Sequence, residues 1–547
     1  MDYNRKSTEK SETLSQEKGR VRVTRTVQAS KASLHQSGIP SSLKDQLSST
    51  DKLTIRPEDS IKFTSSALLP GLVDSVKDLI GKDARPTPIQ ALSLAHFATS
   101  PEEERKRRRT RETLLASETG SGKSLAYLLP VIQGLKATEG ASVTEGASTG
   151  PKTPNPNLVS GPRAIILCPT HELSRQITTY AKSLCHNVKL RIVCASNPNA
   201  RGGSSKSGNW DASISPEGLI PGFGGRAVDI LIGTPPTILS LIGGKELGDR
   251  KAISAVRRLD QEGEEEVGAR MSLERLEWLV IDEADVMFDR SFIETTQAIL
   301  EDAATQNRQA ETSHLQANLI LSSATIPLSL SKYLDAHFPR IVRLASPRVH
   351  RLPKLLKTEY VQLTDGNKNA TISKKIEAVW AEDAQDRQAG RSTHKSKIVI
   401  FANETKVARR LADYLKQKGV ESLVLVGDAE ERRKGSNQHL AGFLSPAAMP
   451  STTRATQEGP DASSGPRILI TTSLLSRGLD FDPSIRHVFV ADEPRSAVDF
   501  IHRAGRTGRA GNVGTVVLFE KGSRGDRRRE GKIVRLERFG KVSKRRR

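Results

Sequence analysis

The sequence predicts an α/β protein with two doubly wound lobes, each built on a parallel sheet covered by helices on both faces. Two sets of short, almost continuously apolar runs alternate with helical stretches, as expected for central parallel strands. The runs are 164–168, 229–233, 278–281 and 319–321, and then 398–401, 423–426, 468–470, 488–490 and 516–519. At 547 residues the chain is too long for one hydrophobic core, which also predicts more than one domain.

The predicted organisation has five parts, namely a basic segment at 1–55, a first lobe at 56–345, a linker at 346–372, a second lobe at 373–520 and a basic tail at 521–547. The first segment has few large apolar residues, so it is expected to be disordered. From Lys18 to Lys44 it contains no Asp or Glu, which fits a mitochondrial targeting segment and, as well, a plain basic tail. Low-complexity stretches such as 138–157 predict surface loops.

The composition indicates the class of partner. A formal net charge of +21 favours a polyanion, either nucleic acid or an anionic membrane surface. Aromatic residues make up only 4% of the chain, so RNA would be held mainly through its backbone. No apolar stretch approaches the roughly 18 residues that span a bilayer, so a membrane anchor is not expected. Cys168, Cys185 and Cys194 form no CxxC pair, which favours buried thiols over a zinc site.

A glycine-rich loop follows the short apolar run 113–115 and opens a predicted helix. Glycines let backbone N–H groups approach a phosphate closely, and the helix N-terminus adds partial positive charge. Lys123 is expected to reach the β- and γ-phosphates of a nucleotide, and the Ser124 hydroxyl is expected to face Mg²⁺. The predicted nucleotide contacts in this loop are Ser117, Glu118, Thr119, Gly120, Ser121, Gly122, Lys123 and Ser124.

Two carboxylates follow directly after the apolar run 278–281. Asp282 is expected to hold Mg²⁺ as an oxygen ligand, and Glu283 to orient and deprotonate an attacking water. Acidic residues at this place could instead cap the next helix. Together with the phosphate-binding loop they predict the hydrolysis of a nucleoside triphosphate.

Residues 282–285 and 502–509, taken with the phosphate-binding loop, resemble the motifs of the DEAD-box RNA helicases of superfamily 2. The resemblance extends over about residues 61–520 and implies two tandem RecA-like lobes that use ATP and Mg²⁺. It also implies that Gln90 bonds the adenine edge while Phe63 packs on the base. A preference for ATP over other nucleotides follows from these two contacts.

The same resemblance assigns roles across both lobes. It implies that Arg506 and Arg509 act as arginine fingers on the γ-phosphate and that Asp480 contacts the ribose. The residues implied to couple the lobes are Asp285, Ser323, Thr325 and His502. The residues implied to contact RNA are Pro169, Thr170, Thr234, Thr472, Arg477 and Gly478.

Four departures from the family pattern lie at elements expected to face RNA or the other lobe. His171 stands where Arg is usual, Pro236 and Thr237 where Gly and Arg are usual, and Ser473 where Asp is usual. The segment 426–433 lacks the usual Gln. We therefore expect retained ATP hydrolysis with an altered or weakened grip on RNA. The basic tail is interpreted either as an additional RNA contact or as a solvated tail.

The divergent pattern, including 491–494 before 499–502, is similar to fungal mitochondrial DEAD-box helicases that are implicated in assembling the mitochondrial large ribosomal subunit. This resemblance implies a monomer in the mitochondrial matrix that acts on ribosomal RNA and on assembling ribosomal particles. A nucleolar helicase of ribosome biogenesis is the alternative. Two alternative activities are an ATP-gated RNA clamp with little unwinding and a motor directed at DNA.

Overall fold

The computed structural model describes sixteen stretches of the chain: 62–65, 68–97, 110–139, 158–159, 161–196, 228–243, 270–306, 317–346, 349, 352–353, 355–363, 367–391, 395–427, 436–448, 465–509 and 512–521. These residues form two large parallel sheets and one small strand pair. The predicted class, an α/β protein with two doubly wound lobes, is confirmed. Among the described helices, none is both long enough and apolar enough to pass through a membrane.

The first lobe is built on a seven-stranded sheet. The strands of the first lobe, in chain order, are Glu112–Ala116 (β1), Leu158–Val159 (β2), Ala164–Leu167 (β3), Ile192–Ala195 (β4), Ile230–Gly233 (β5), Arg270–Met271 (β6), Trp278–Ile281 (β7), Asn318–Ser323 (β8) and Val342–Ala345 (β9). The spatial order is β4-β5-β3-β7-β8-β1-β9, and all neighbours are parallel. Strands β2 and β6 pair with each other outside this sheet.

Helices cover this sheet and connect its strands. They are Pro70–Ile80 (α1), Pro88–Phe97 (α2), Lys123–Glu139 (α3), His171–Leu184 (α4), Pro235–Gly243 (α5), Ala284–Met287 (α6), Ile293–Gln306 (α7) and Leu328–His337 (α8). Helix α4 shows why the sequence folds this way locally. The Thr170 side chain accepts a hydrogen bond from the backbone N–H of Leu173 and so caps the helix. Leu173, Ile177, Ala181 and Leu184 then recur at helical spacing and are fully buried.

The second lobe is built on a six-stranded parallel sheet. Its strands are Leu356–Leu363 (β10), Lys397–Ala402 (β11), Leu423–Leu425 (β12), Ile468–Thr472 (β13), Ile485–Val490 (β14) and Gly514–Lys521 (β15). They are ordered β10-β15-β14-β11-β13-β12. The helices of this lobe are Lys368–Gln388 (α9), Thr405–Gln417 (α10) and Ala497–Ala504 (α11). Short 3-10 turns occur at Gln438–Leu440 and Pro446–Ala448.

The second sheet begins earlier in the chain than the sequence analysis expected. Strand β10 and the start of α9 lie inside 346–372, the segment predicted to be a linker. Strand β10 sits at the edge of its sheet, so its residues are half-buried or exposed and lack the continuous apolar run of a central strand. Strand β9 was not predicted for the same reason. Strand β4 was also missed, although Ile192–Ala195 is a largely buried apolar run.

Several predicted features lie outside the described residues. These are the basic segment 1–55, the tail from residue 522, most of the low-complexity stretch 138–157 and the divergent residues 428–433. Their predicted roles therefore stay predictions, as do the exact boundaries of the lobes. The three cysteines are described and are not joined by disulfides.

The order of the strands determines where a functional site can form. Strands β7, β8 and β1 are neighbours, and their carboxyl ends lead into residues 282–285, 323–325 and 117–124 respectively. Ligands of open parallel sheets bind outside the carboxyl ends of the strands. Three segments that are far apart in the sequence are thereby placed at one edge of the first sheet.

Candidate active site

The phosphate-binding loop connects β1 to α3 in a conformation that depends on glycine. Gly120 and Gly122 have φ values of 75° and 81°, which glycine adopts without steric cost. A Cβ atom on Gly122 would lie 2.3 Å from Gln90 Nε2. Gln90 donates through Nε2 to the Gly122 carbonyl at 3.0 Å and accepts from the Thr87 N–H at 2.9 Å. The predicted adenine-binding glutamine is therefore held against the loop by its own hydrogen bonds.

Lys123 is buried at the first position of α3. Its ammonium group donates to the carbonyl oxygens of Ser117 and Glu118, at 2.9 and 3.0 Å. Burial lowers the pKa of Lys123, and the negative charges of Glu283 and Asp282 counteract this effect. The lysine therefore lies between the loop and the carboxylates, where a phosphate group would need a positive charge.

The two carboxylates after β7 are buried beside this lysine. Asp282 accepts hydrogen bonds from the Tyr127 hydroxyl at 3.0 Å and from the Glu283 N–H at 2.9 Å. Burial and the adjacent Glu283 raise the pKa of Asp282 to about 6. Tyr127 was not singled out in the sequence, although it lies one helical turn after Lys123 and therefore shares its face of α3.

Glu283 has a backbone conformation that is unusual for a residue with a side chain. Its φ is 50°, in the left-handed region, where the Cβ atom makes unfavourable contacts. Its Oε2 atom is buried and, within the described part of the chain, has no hydrogen-bond partner. Backbone strain and an unsatisfied buried oxygen are both costly and tend to occur at functional positions.

Asp285 receives side chains from both lobes. Ser323 Oγ and Thr325 Oγ1 of the first lobe donate to its carboxylate at 3.0 and 2.9 Å. From the second lobe, Arg477 Nη1 lies 3.2 Å and His502 Nε2 lies 2.9 Å from its Oδ2 atom. Burial acts to raise the pKa of Asp285, but the electrostatic interaction and hydrogen bond with His502, together with the positive charge of Arg477, hold it well below its usual range. The structure thus brings together the four residues predicted to couple the lobes.

Arg506 enters the same space from the second lobe. It is buried, and it donates to the carbonyl oxygens of His502 and Leu479, both at 3.0 Å. Its Nη2 atom is also buried and has no hydrogen-bond partner among the described residues. Burial and the neighbouring Arg509 lower the pKa of Arg506 to about 9. One unsatisfied guanidinium nitrogen therefore remains available for an anion.

Arg509 lies directly on the phosphate-binding loop of the other lobe. A Cβ atom on Gly120 would be 3.3 Å from Arg509 Cδ. Arg509 Nε donates to the Gly505 carbonyl at 2.7 Å, and Nη1 lies 3.4 Å from Asp480 Oδ1. The Thr119 hydroxyl reaches the same Gly505 carbonyl at 3.4 Å. The second lobe therefore brings Arg509 onto the loop that would hold phosphate, and Arg506 lies near enough to Lys123 to contribute to lowering its pKa.

The donor and acceptor atoms of this site have the chemistry needed to bind a triphosphate with Mg²⁺. Glu283 Oε2 and Arg506 Nη2 supply an unsatisfied buried acceptor and an unsatisfied buried donor. Asp282 and Ser124 supply the carboxylate and hydroxyl oxygens that Mg²⁺ prefers. Among the described residues, the one compact cluster of His, Cys, Asp and Glu side chains that could bind a metal is Glu283, Asp285 and His502. Asp285 and His502 already bond each other. Binding of Mg²⁺ at Asp282 stays a prediction.

The residues predicted to contact RNA lie at the ends of strands and the starts of helices. Thr170, after Pro169, caps α4, and the Thr234 hydroxyl lies 3.0 Å from that of Thr237 near the start of α5. Because β3 and β5 are neighbours, these two helix starts lie at the same sheet edge. Thr472 ends β13 in the other lobe. The positions of these residues do not test whether they contact RNA, so their roles in RNA binding stay predictions.

Two predicted RNA contacts of the second lobe touch the first lobe in this structure. Arg477 bonds Asp285, as described above. Gly478 has a φ of 67° and packs on Leu173, so that a Cβ atom there would lie 2.4 Å from Leu173 Cδ2. Both residues are therefore placed where closure of the lobes could affect their access to RNA.

The structure gives local hydrogen-bond partners to two of the four departures, Thr237, described above, and Ser473. Ser473 Oγ accepts a hydrogen bond from Arg503 Nε at 2.8 Å, and Arg503 also pairs with Asp499 at 2.7 Å. Ser473 thus belongs to a network within the second lobe. His171 is half-buried at the first position of α4.

Further contacts between the lobes involve residues that sequence analysis did not identify. Asn437 Nδ2 donates to the Glu172 carbonyl at 2.9 Å, and Arg175 Nη1 lies 3.5 Å from Asn437 Oδ1. Gln176 and Tyr180 bond residues 478–480. The spacing of 172, 176 and 180 along α4 was the available signal, because residues four apart share a helix face.

A phosphate-binding loop and paired carboxylates on one lobe, with the buried Arg506 and the half-buried Arg509 from a second lobe, define a bipartite nucleoside triphosphatase. The DEAD/DEAH box helicase model matches residues 87–333, and the helicase conserved C-terminal domain model matches residues 380–511. The chain belongs to the DEAD/DEAH box helicase family and is an ATP-dependent RNA helicase.

Relatives support this assignment over most of the chain. It is 34% identical over 489 residues to "ATP-dependent RNA helicase MRH4, mitochondrial" of Cryptococcus neoformans, covering 84% of this chain and 82% of the relative. It is 33% identical over 509 residues to the protein of the same name of Phaeosphaeria nodorum, covering 83% and 69% respectively. The names of these relatives confirm the predicted mitochondrial location.

Solved structures confirm the predicted RecA-like fold. Dbp5 of S. cerevisiae bound to RNA and ADP BeF3 matches with a TM-score of 0.55 at 19% identity, covering 87% of this chain and 93% of Dbp5. The DEAD-box helicase Mss116 bound to ssRNA and UDP-BeF matches with a TM-score of 0.57 at 18% identity, covering 87% and 82%.

Proposed function

We propose that this helicase hydrolyses ATP in the cleft between its lobes and uses the cycle to remodel ribosomal RNA during assembly of the mitochondrial large ribosomal subunit. The proposal of ATP hydrolysis between the lobes rests on the contacts of the Asp285 carboxylate. This carboxylate is bonded at once by Ser323 and Thr325 of the first lobe and by Arg477 and His502 of the second. Each lobe thus supplies part of one buried hydrogen-bond network.

In this proposal the first lobe binds the nucleotide. Lys123 and the loop 117–124 hold the phosphates, while Gln90 and Phe63 recognise the adenine. Asp282 and Ser124 would hold Mg²⁺, which would spread the charge that develops on the γ-phosphate. The unsatisfied Oε2 of Glu283 orients the attacking water and accepts its proton.

The second lobe completes the site. Arg506 and Arg509 direct permanent positive charge at the γ-phosphate, and Asp480 contacts the ribose. Removal of an arginine finger typically costs phosphoryl-transfer enzymes about 10³–10⁵ in rate. Hydrolysis therefore depends on closure of the lobes.

RNA binding is coupled to the nucleotide through the same closure. Thr170 and Thr234 lie on the first lobe, whereas Thr472 and Gly478 lie on the second. An RNA strand that contacts both sets favours the closed arrangement, and so does ATP. Each ligand then raises the affinity for the other by the same factor. Contacts to phosphate and 2′-hydroxyl groups would make binding largely independent of base sequence.

Two features support the cellular part of the proposal. The relatives named above are mitochondrial RNA helicases, and the net charge of +21 suits the dense phosphate of a ribosomal particle. We further propose that the protein acts as a monomer, because its own two lobes supply all of the catalytic groups.

One observation favours a second candidate, an ATP-gated RNA clamp that separates few strands. Thr237 stands where the family pattern has Arg, and its hydroxyl lies 3.0 Å from that of Thr234. This helix start therefore offers RNA no guanidinium from position 237. A weaker grip at this place would reduce the strain that a closed helicase can impose on a duplex.

Two measurements test these proposals. ATPase activity with and without RNA is compared with displacement of a short duplex. RNA-stimulated hydrolysis with displacement supports the helicase, hydrolysis without displacement supports the clamp, and no stimulation refutes both. Crosslinking in cells followed by RNA sequencing tests the substrate. Recovery of mitochondrial large-subunit ribosomal RNA is expected, and its absence among the crosslinked RNAs would refute the assembly role.

A further inference from the structure

Tyr180, on α4 of the first lobe, forms a hydrogen bond with the second lobe. Its hydroxyl donates to Asp480 Oδ2 at 2.7 Å. We propose that Tyr180 is a positioning residue that orients the Asp480 carboxylate for the ribose and thereby strengthens discrimination between ribose and deoxyribose nucleotides. The inference rests on the proposed ribose contact of Asp480 and adds a residue from the opposite lobe to it.

The bond belongs to a set of contacts from one face of α4. Gln176 Oε1 accepts from the Asp480 N–H at 2.8 Å, and Gln176 Nε2 donates to the Gly478 carbonyl at 3.4 Å. Leu173 packs on Gly478. Leu173, Gln176 and Tyr180 are spaced by three and four residues, so they project from the same side of the helix. These contacts hold the backbone of 478–480, and they do not involve the side chain of Asp480.

The Asp480 carboxylate needs a further constraint of its own. Its side chain is 40% exposed, and its other oxygen lies 3.4 Å from Arg509 Nη1, which is a long contact. The bond from Tyr180, at 2.7 Å to a charged acceptor, is short and strong by comparison. A carboxylate has about four lone-pair sites, so these two contacts leave acceptor capacity for a ribose hydroxyl.

The ring of Tyr180 is itself well anchored. It is 8% exposed and belongs to a hydrophobic cluster that includes Ile177 of the first lobe and Leu479 of the second. A buried ring loses little additional freedom when its hydroxyl bonds Asp480. Replacement by Phe keeps this packing and removes the hydroxyl group.

The test compares Tyr180→Phe with the full-length wild-type protein under saturating RNA. The parameters kcat and KM are measured for ATP and for 2′,3′-dideoxyATP. We expect KM for ATP to rise about tenfold in the variant with little change in kcat, because one charge-assisted hydrogen bond that orients the ribose contact is lost. For 2′,3′-dideoxyATP, which lacks both hydroxyls, the change should be less than twofold.

Further variants make the result specific. Tyr414→Phe is the matched control, since Tyr414 is a half-buried tyrosine on α10 of the second lobe. It should retain wild-type discrimination. The single variant Asp480→Asn should already lose discrimination between ATP and 2′,3′-dideoxyATP. Adding Tyr180→Phe to it should cause no further loss. Tyr180→Leu, which also lacks a donor, replaces the Phe variant if that protein does not fold.

The outcomes separate this inference from the proposed function. Equal loss with both nucleotides would show that Tyr180 only favours closure, which overturns the positioning role. Unchanged discrimination overturns it as well. If wild-type protein shows no RNA-stimulated hydrolysis, the proposed function fails instead.

Discussion

His502 of the second lobe and Asp285 of the first lie with Nε2 and Oδ2 2.9 Å apart, and their side chains are only 2% and 1% exposed. Removing one partner of such a buried hydrogen-bonded pair leaves the other partner buried without it, which is costly for a carboxylate. Because the partners belong to different lobes, their contact exists only when the lobes are closed. The distance between His502 Nε2 and Asp285 Oδ2 is therefore a direct structural measure of lobe closure.

Replacement of His502 by Ala should reduce RNA-stimulated kcat by about 100-fold. The substitution leaves Asp285 buried with fewer partners, a loss of about 3 kcal/mol or more that falls on the closed state. ATP affinity without RNA should stay within about twofold, because Lys123 and its loop belong to the first lobe. Steady-state kinetics and equilibrium nucleotide binding check both values. Equal weakening of ATP binding without RNA would contradict this assignment.

Replacement of Arg506 and Arg509 by Ala should lower kcat at saturating RNA by about 10³-fold or more. Arg506 is the more informative position, since its Nη2 has no partner in the described part of the chain. Arg410→Ala, which removes an exposed arginine from α10, is the matched control and should keep wild-type turnover. Unchanged turnover in the double variant would exclude the finger role for these two residues.

Gly122→Ala should abolish tight ATP binding, raising KM for ATP at least tenfold. The added Cβ would lie 2.3 Å from Gln90 Nε2, so it would displace the predicted adenine contact. Gly419→Ala is a matched control, because Gly419 also has a positive φ, at 75°, but no atom within 4 Å of the added Cβ. That variant should cost about 1 kcal/mol of stability without changing KM. Similar KM values for both variants would refute the proposed contact.

His487 should make the free energy of unfolding depend on pH below neutrality. Burial lowers the pKa of His487 to about 4, against about 6.5 in an unfolded chain. Between these values the unfolded state binds more protons, so stability is complete above about pH 6.5 and is lost as the pH falls towards 4. At pH 5 the loss should be about 1–2 kcal/mol.

The check for His487 is a comparison of urea unfolding at pH 7.5 and pH 5. The variant His487→Gln should show a smaller decrease in stability between the two values than the wild-type protein. His186→Gln provides a control at an exposed histidine. An identical decrease in wild type and His487→Gln would exclude the His487 imidazole as the source of the pH dependence.

The central strands and the nucleotide motifs could be predicted from sequence because each is a local pattern. Strand β7 is a buried apolar run, and the carboxylates of Asp282 and Glu283 follow it directly. Contacts between the lobes were predicted only where the family resemblance assigned them, as for Asp285 and His502. The bond from Tyr180 to Asp480 joins residues 300 positions apart, and neither residue alone indicates the other. Edge strand β10 was missed because it lacks an apolar run.

The two sheets are joined at their margins, since β9 is the last strand of one and β10 the first of the other. Residues 346–355 form the covalent connection between these strands. A fully extended peptide covers at most about 3.3–3.6 Å per residue. The end of β9 and the start of β10 can therefore never be more than about 40 Å apart. This connection therefore limits how far the lobes can separate, and with them how far Arg506 and Arg509 can move from the loop 117–124.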